Sequence, residues 1–91
     1  MTQDVNQDNS LTNWRKKMIF RSWHRGTREI DLLLGRFADE NIPNFDEEQL
    51  RQYEELLENN DPDLYNWITG KEEPPANVMT DVLKIIMAYH I

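Results

Sequence analysis

Ile30, Leu33, Leu34 and Phe37 recur at i, i+3, i+4 and i+7, the spacing that lines four apolar side chains along one stripe of an α-helix. Similar spacing recurs along the chain, and no stretch of its 91 residues sustains the period-two alternation of a half-buried strand. β-branched residues are sparse. The pattern predicts an all-α fold: a compact bundle of five short helices in a single domain, the default for this length.

The punctuation sets the helix limits. Ser10 or Thr12 is placed to cap a first helix running to about His24, with Ile19, Phe20 and Trp23 expected on one face and Lys17, Arg21 and His24 on another. Gly26 breaks or bends the chain before a second helix from about Thr27 to Glu40. After the loop "NIPNF", Asp46 and Gln49 form a capping-box pair, and Phe45 and Leu50 a hydrophobic staple. This third helix is expected to turn Leu50, Tyr53, Leu56 and Leu57 inward and to end near Asn59-Asn60. A short fourth helix takes Asp61 as cap and Pro62 in its first turn, buries Leu64, Trp67 and Ile68, and stops at Gly70. "KEEPP" reads as a rigid acidic connector. A fifth helix from about Ala76 is expected to bury Val78, Val82, Ile85, Ile86 and Tyr89. Polar residues 1–11 read as a disordered tail, leaving 12–91 as the helical domain.

Several function classes find no support in the residues. The chain has no cysteine, so disulfides, thiolate metal sites and a cysteine nucleophile are excluded. Its two histidines, His24 and His90, are far apart in sequence, and no metal site is expected. The acids Asp46-Glu47-Glu48 and Glu54-Glu55-Glu58 read as solvated helix faces rather than catalytic pairs, and no phosphate-binding or nucleophile motif is present. Trp14, Trp23 and Trp67 read as core or rim aromatics. No apolar run reaches membrane-spanning length, and "MTQDVNQDNS" resembles neither a signal nor a transit peptide.

The formal charge of -7 is segregated. Six Arg and Lys lie between Arg15 and Arg28 with no acid among them, whereas fifteen acids face four bases from Glu29 onward. Net acidity opposes general nucleic-acid binding, while a basic face on an acidic body suits an oriented encounter with a partner. The alternative is a helical DNA-binding or regulatory module using the basic first helix. On the second helix, stepping 100° per residue from Ile30 puts Glu29 and Arg36 together on one flank, with Leu32 beyond. If the helical phase extends back, Arg25 joins them in a surface strip beside Gly26, where another backbone could approach. An ordinary turn, an Arg25–Glu29 ion pair and a lone exposed leucine would also account for these residues.

Arg25-Gly26-Thr27-Arg28-Glu29 matches the R-G-x-x-E signature of the succinate dehydrogenase assembly factors, the bacterial and mitochondrial flavinylation factors. The flanks "RSWHRGTREIDLLLGRF" and "FDEEQLRQYEELLENNDPDLYNWITG" resemble the first two helices and the "F…LL…DPDL..W..G" region of that family, over roughly Trp14 to Gly70. The resemblance implies a bacterial cytoplasmic chaperone that binds the flavoprotein subunit of succinate dehydrogenase and promotes protein flavinylation, with fumarate reductase a possible second client. The residues themselves argue against catalysis by this chain, since neither Glu29 nor His24 has a pocket or a second catalytic group. They argue against tight FAD binding, since a lone glycine makes a poor phosphate cradle and FAD belongs to the client, and against nucleic acid, given the net acidity. The five periodic segments suggest a monomer when free. The residues expected to bind the partner are Arg25, Gly26, Glu29, Arg28, Leu32, Arg36, Arg21 and His24. Arg25 would supply bidentate hydrogen bonds to the client, and Glu29 would orient Arg25 or accept from client donors.

Overall fold

In the computed structural model the helical period is realised as five helices, described for the backbone of residues 2–90 and the side chains of residues 10–90. They are α1 (Thr2–Trp23), α2 (Arg28–Asn41), α3 (Glu47–Leu56), α4 (Asp61–Ile68) and α5 (Asp81–Tyr89). Single 3-10 turns at Ile42–Asn44 and Ala76–Val78 precede α3 and α5. No strand occurs among the described residues. α1 passes through Ser10 and Thr12 without stopping, so neither caps it, which corrects the start expected there. The tail expected over 1–11 falls mostly on residues 1–9, whose side chains lie outside those described.

Local chemistry accounts for the other helix starts. Asp46 accepts from the Gln49 backbone N–H and Gln49 Oε1 accepts from the Asp46 N–H, both at 2.9 Å, closing the expected capping box. α4 is capped by Asn60, whose Oδ1 accepts from the Asp63 N–H at 3.0 Å, and not by Asp61 as expected. α5 begins later than the Ala76 expected for it: the 3-10 turn comes first, and Thr80 caps the helix through the Leu83 N–H.

One apolar cluster unites all five helices. α2 supplies Ile30, Leu34, Phe37 and Ala38, with Leu33 at its edge; α3 and α4 supply Leu50, Tyr53, Leu56, Leu64, Trp67 and Ile68. Phe37, Phe45 and Tyr53 stack or meet edge-on, with centroids 6.0 to 6.3 Å apart. α5 contributes Val82, Leu83 and Ile86, while Ile85 and Tyr89, expected inside, lie at the surface. Met87 packs against the edge of the cluster, and the Tyr89 ring still meets Phe37 edge-on, with centroids 5.4 Å apart.

α1 departs furthest from expectation. Its inward residues are Met18 and Ser22, both fully buried, and Phe20 is 62% exposed. Ser22 Oγ donates to the Met18 carbonyl at 2.7 Å and accepts from the Tyr53 hydroxyl at 2.5 Å, so a polar residue sits in the core fully bonded. Burial pushes the Tyr53 hydroxyl well above its usual range of ionisation. Trp23 neither joins Phe20 nor enters the core. It lies flat on α2 at Gly35, where an added Cβ would come 2.3 Å from the indole ring, and its Nε1 donates to Asp39 at 3.1 Å. A glycine inside α2 thus lets α1 cross close to it.

Urea unfolding should rank three substitutions. Leu34→Ala is expected to cost about 2 to 5 kcal/mol by opening a cavity. Gly35→Ala should cost about 1 to 3 kcal/mol because the indole must move. Phe20→Ala should stay within about 0.5 kcal/mol; a larger loss would mean that α1 is turned the way its apolar residues alone suggest.

Candidate functional site

Between α1 and α2 the chain turns a corner through His24, Arg25, Gly26 and Thr27. Gly26 has φ +124°, a conformation that residues with a Cβ rarely adopt, and a Cβ there would meet nothing within 4 Å. Glycine is therefore required by the backbone angle, and the space beside it is open. The corner is tied to α2 by the Arg25 backbone N–H, which donates to Asp31 at 2.7 Å.

The Arg25 side chain does not lie on the surface strip. It reaches across to the α3–α4 connection, where Nη1 donates to the Leu57 carbonyl and Nη2 to the Asn59 carbonyl, both at 2.6 Å, and Nε donates to Asp61 at 3.0 Å. The ion pair is well covered, with side-chain exposures of 13% for Arg25 and 15% for Asp61. The physical cause is the end of α3. The last carbonyls of a helix have no partner within it, and a planar guanidinium can satisfy two of them and a carboxylate at once. Because Asn60 caps α4, the neighbouring Asp61 is left to meet Arg25. α2 begins only at Arg28, so the helical phase does not extend back to Arg25. This corrects the placement of Arg25 beside Glu29, and no Arg25–Glu29 ion pair forms.

The rest of the strip is as expected from the 100° step. Glu29, Leu32 and Arg36 are exposed along one flank of α2, and Arg28 is exposed nearby; Leu32 is 41% exposed. Among the described residues none of the three charged side chains makes a hydrogen bond or ion pair. Arg21 is instead directed at α3, 3.6 Å from Glu54 and 3.8 Å from Glu58. His24 stacks on Phe20 with centroids 4.0 Å apart, its Nδ1 donating to the Phe20 carbonyl at 2.8 Å. Arg21 is thus engaged by α3 acids and His24 by Phe20, whereas Glu29 and Arg36 make no such contact among the described residues.

An open groove runs between the start of α2 and α4, walled by Thr27, Glu29 and Ile30 on one side and Asp61, Pro62, Tyr65 and Asn66 on the other. Lys71 Nζ sits 5.1 Å over the Tyr65 ring. The α4 wall escapes sequence reasoning because periodicity reports which residues of a helix face the core, not which two helices flank a groove. The adjacent cap-competent residues Asn60 and Asp61 were the one available signal, since only one of them can cap. Among the described residues no three His, Asp or Glu side chains gather in a way that could hold a metal ion. His90 Nε2 donates to the Leu33 carbonyl at 3.0 Å, and burial lowers its affinity for a second proton.

The two charged residues of the motif, Arg25 and Glu29, should separate cleanly in a stability assay. Arg25→Ala strands two buried carbonyls and the Asp61 carboxylate, and should cost about 2 to 3 kcal/mol in urea unfolding. Arg25→Lys should recover little of this, because an ammonium cannot reproduce the three-way fork. Glu29→Ala should stay within about 0.5 kcal/mol.

Residues 16–90 match the protein family described as flavinator of succinate dehydrogenase. The mitochondrial succinate dehydrogenase assembly factor 2 of Dictyostelium discoideum is 46% identical over 81 residues, covering 89% of this chain and 57% of that protein. The FAD assembly factor SdhE of Acetobacter pasteurianus is 38% identical over 80 residues, covering 88% of this chain and 72% of its own length. That of Legionella pneumophila is 38% identical over 69 residues, covering 76% and 87%. The chain spans about half the length of such mitochondrial relatives and most of the bacterial ones. This chain, matched over residues 16–90, belongs to the succinate dehydrogenase flavinator family.

Proposed function

We propose that this chain is an assembly factor that binds the flavoprotein subunit of succinate dehydrogenase and promotes covalent attachment of FAD to that subunit. The observation that carries the reading is a helix flank left uncovered on a rigid base. Glu29, Leu32 and Arg36 are exposed on α2, and the charged pair is without a partner in this chain. The start of α2 is held by Arg25, whose hydrogen bonds cross to the α3–α4 connection. A rigid base spares the ordering of the backbone on binding, so only the exposed side chains lose rotamer freedom.

On this reading Glu29 accepts hydrogen bonds from client donors, Arg36 donates to a client carboxylate or carbonyl, and Leu32 is buried against the client. Arg25 is a positioning residue: it fixes the corner from which Glu29 projects and does not itself reach the client. The FAD supplies the electrophilic ring, and the client supplies the attachment histidine and the groups that stabilise charge on the flavin. The contribution of this chain is to hold a mobile region of the client where its own residues react. On this reading the chain contributes no acid–base group of its own to the flavin chemistry.

The chain is also not a tight FAD carrier. The groove beside the motif is edged by the unpaired Glu29, whose carboxylate opposes the pyrophosphate of FAD, and by Asp61, whose charge is already met by Arg25. Calorimetric titration of the purified protein with FAD should show no saturable one-to-one binding at or below about 1 μM, worth about 8 kcal/mol; such binding would identify a carrier. Mixing the protein with apo-flavoprotein and FAD should raise covalent flavin, read as fluorescence in a denaturing gel. Glu29→Ala should lose both client binding and this gain while keeping its melting temperature. Wild-type-like flavinylation by Glu29→Ala would remove the α2 flank from the contact.

A further inference from the structure

α1 carries a second uncovered surface that the α2 flank does not include. Asn13, Lys16, Lys17, Phe20 and His24 stand at i, i+3, i+4, i+7 and i+11 and are all exposed. They form a stripe about 16 Å long at 1.5 Å per residue, on the side of α1 opposite Met18 and Ser22. Phe20 is the most exposed large apolar residue described, and His24 is stacked against it, so the aromatic pair is held in place before anything binds.

The charges on the stripe are unmatched in a chain that has acids to spare. Arg15 is bonded to the Phe45 carbonyl, Arg21 faces Glu54 and Glu58, and Arg51 faces Glu48 and Glu55. Lys16 and Lys17 have no carboxylate within ion-pair distance among the described residues, and no acid occurs between Ser10 and Arg28. Two lysines bracketing an exposed phenylalanine call for an occupant that is acidic around an apolar slot. The stripe lies on the outward face of a helix, a convex ridge, and five grooves among the described residues are lined by other side chains. A small anion or nucleotide needs a concave site, whereas a ridge fits into a groove on another protein. A second copy is a poor occupant, because each copy carries a formal charge of -7.

We propose that the Lys16–Lys17–Phe20–His24 ridge of α1 is a second docking surface, which seats in an acidic, apolar-floored groove of the partner flavoprotein with Phe20 as its anchor. This rests on the proposed function and extends it: the client would be gripped by two faces of the α1–α2 pair rather than by the α2 flank alone. The lysines would act on the encounter rate and its salt dependence, and Phe20 on the lifetime of the complex.

The test is titration of the purified flavoprotein subunit of succinate dehydrogenase by calorimetry, at about 50 mM and about 300 mM salt, on either side of a Debye length of about 10 Å. A Lys16→Glu, Lys17→Glu double variant should bind at least about tenfold more weakly at low salt, with a flatter dependence on salt. Phe20→Ser should bind about tenfold more weakly at both salts with the dependence unchanged. Both should melt with the wild type, since these side chains are uncovered. Wild-type affinity in both variants, beside loss of binding in Glu29→Ala, overturns the ridge and leaves the proposed function standing. Failure of the wild type to bind the flavoprotein overturns both. Salt-sensitive binding of the wild type to vesicles containing about one-third anionic lipid, lost in Phe20→Ser while flavoprotein affinity is unchanged, reassigns the ridge to a membrane surface and also overturns the proposal.

Discussion

The guanidinium of Arg25 is the contact on which the arrangement of the site depends. It gathers three oxygens that would otherwise lack partners near the surface: the Leu57 and Asn59 carbonyls where α3 ends, and the Asp61 carboxylate where α4 begins. The backbone of the same residue is bonded to Asp31 in the first turn of α2. One residue thus joins the α1–α2 corner, the α3–α4 connection and α2 itself. Its strength comes from geometry more than from charge: three donors in one plane meet three fixed acceptors, with the ion pair mostly withdrawn from water.

That contact divides labour within the motif. Arg25 is committed inward, Gly26 supplies the φ of +124° that lets the chain turn, and Glu29 projects outward from the first turn of α2. The residues look equivalent in the string Arg-Gly-Thr-Arg-Glu, yet they act at different levels, the first two on local structure and the last on a surface. The α1–α2 crossing serves the same end. Trp23 seated on Gly35 and the Ser22–Tyr53 hydrogen bond hold α1 in a register that sends Met18 inward and leaves Phe20 out.

Much of this was legible in the residues because it depends on short-range chemistry. The α2 stripe, the Asp46–Gln49 box and the stop at Gly70 each involve neighbours a few positions apart, where spacing and residue type decide the outcome. The exposure of Glu29, Leu32 and Arg36 follows from the same helical step. The family resemblance was legible for a related reason: the corner and the "DPDL" segment are local patterns, although the two meet in space.

The failures lie where two distant segments choose each other. α1 holds apolar residues at Ile19, Phe20 and Trp23, and periodicity alone favours that face. The tertiary structure rolls the helix so that Met18 and Ser22 face in, Ile19 packs at the core's edge and Phe20 stands out, because Tyr53 offers a bonded place for Ser22 and Gly35 offers a flat seat for Trp23. Asp61 looks like a cap until Asn60 takes that role and Arg25 arrives from 36 positions away in sequence. The sequence by itself determined that this chain is helical, where its second and third helices start, and which flank of α2 faces water, since each follows from bonds within a turn or two. Only the tertiary structure decided that Arg25 holds the fold together and that Phe20 stands outside it, since both depend on which acceptors and surfaces another helix brings into reach.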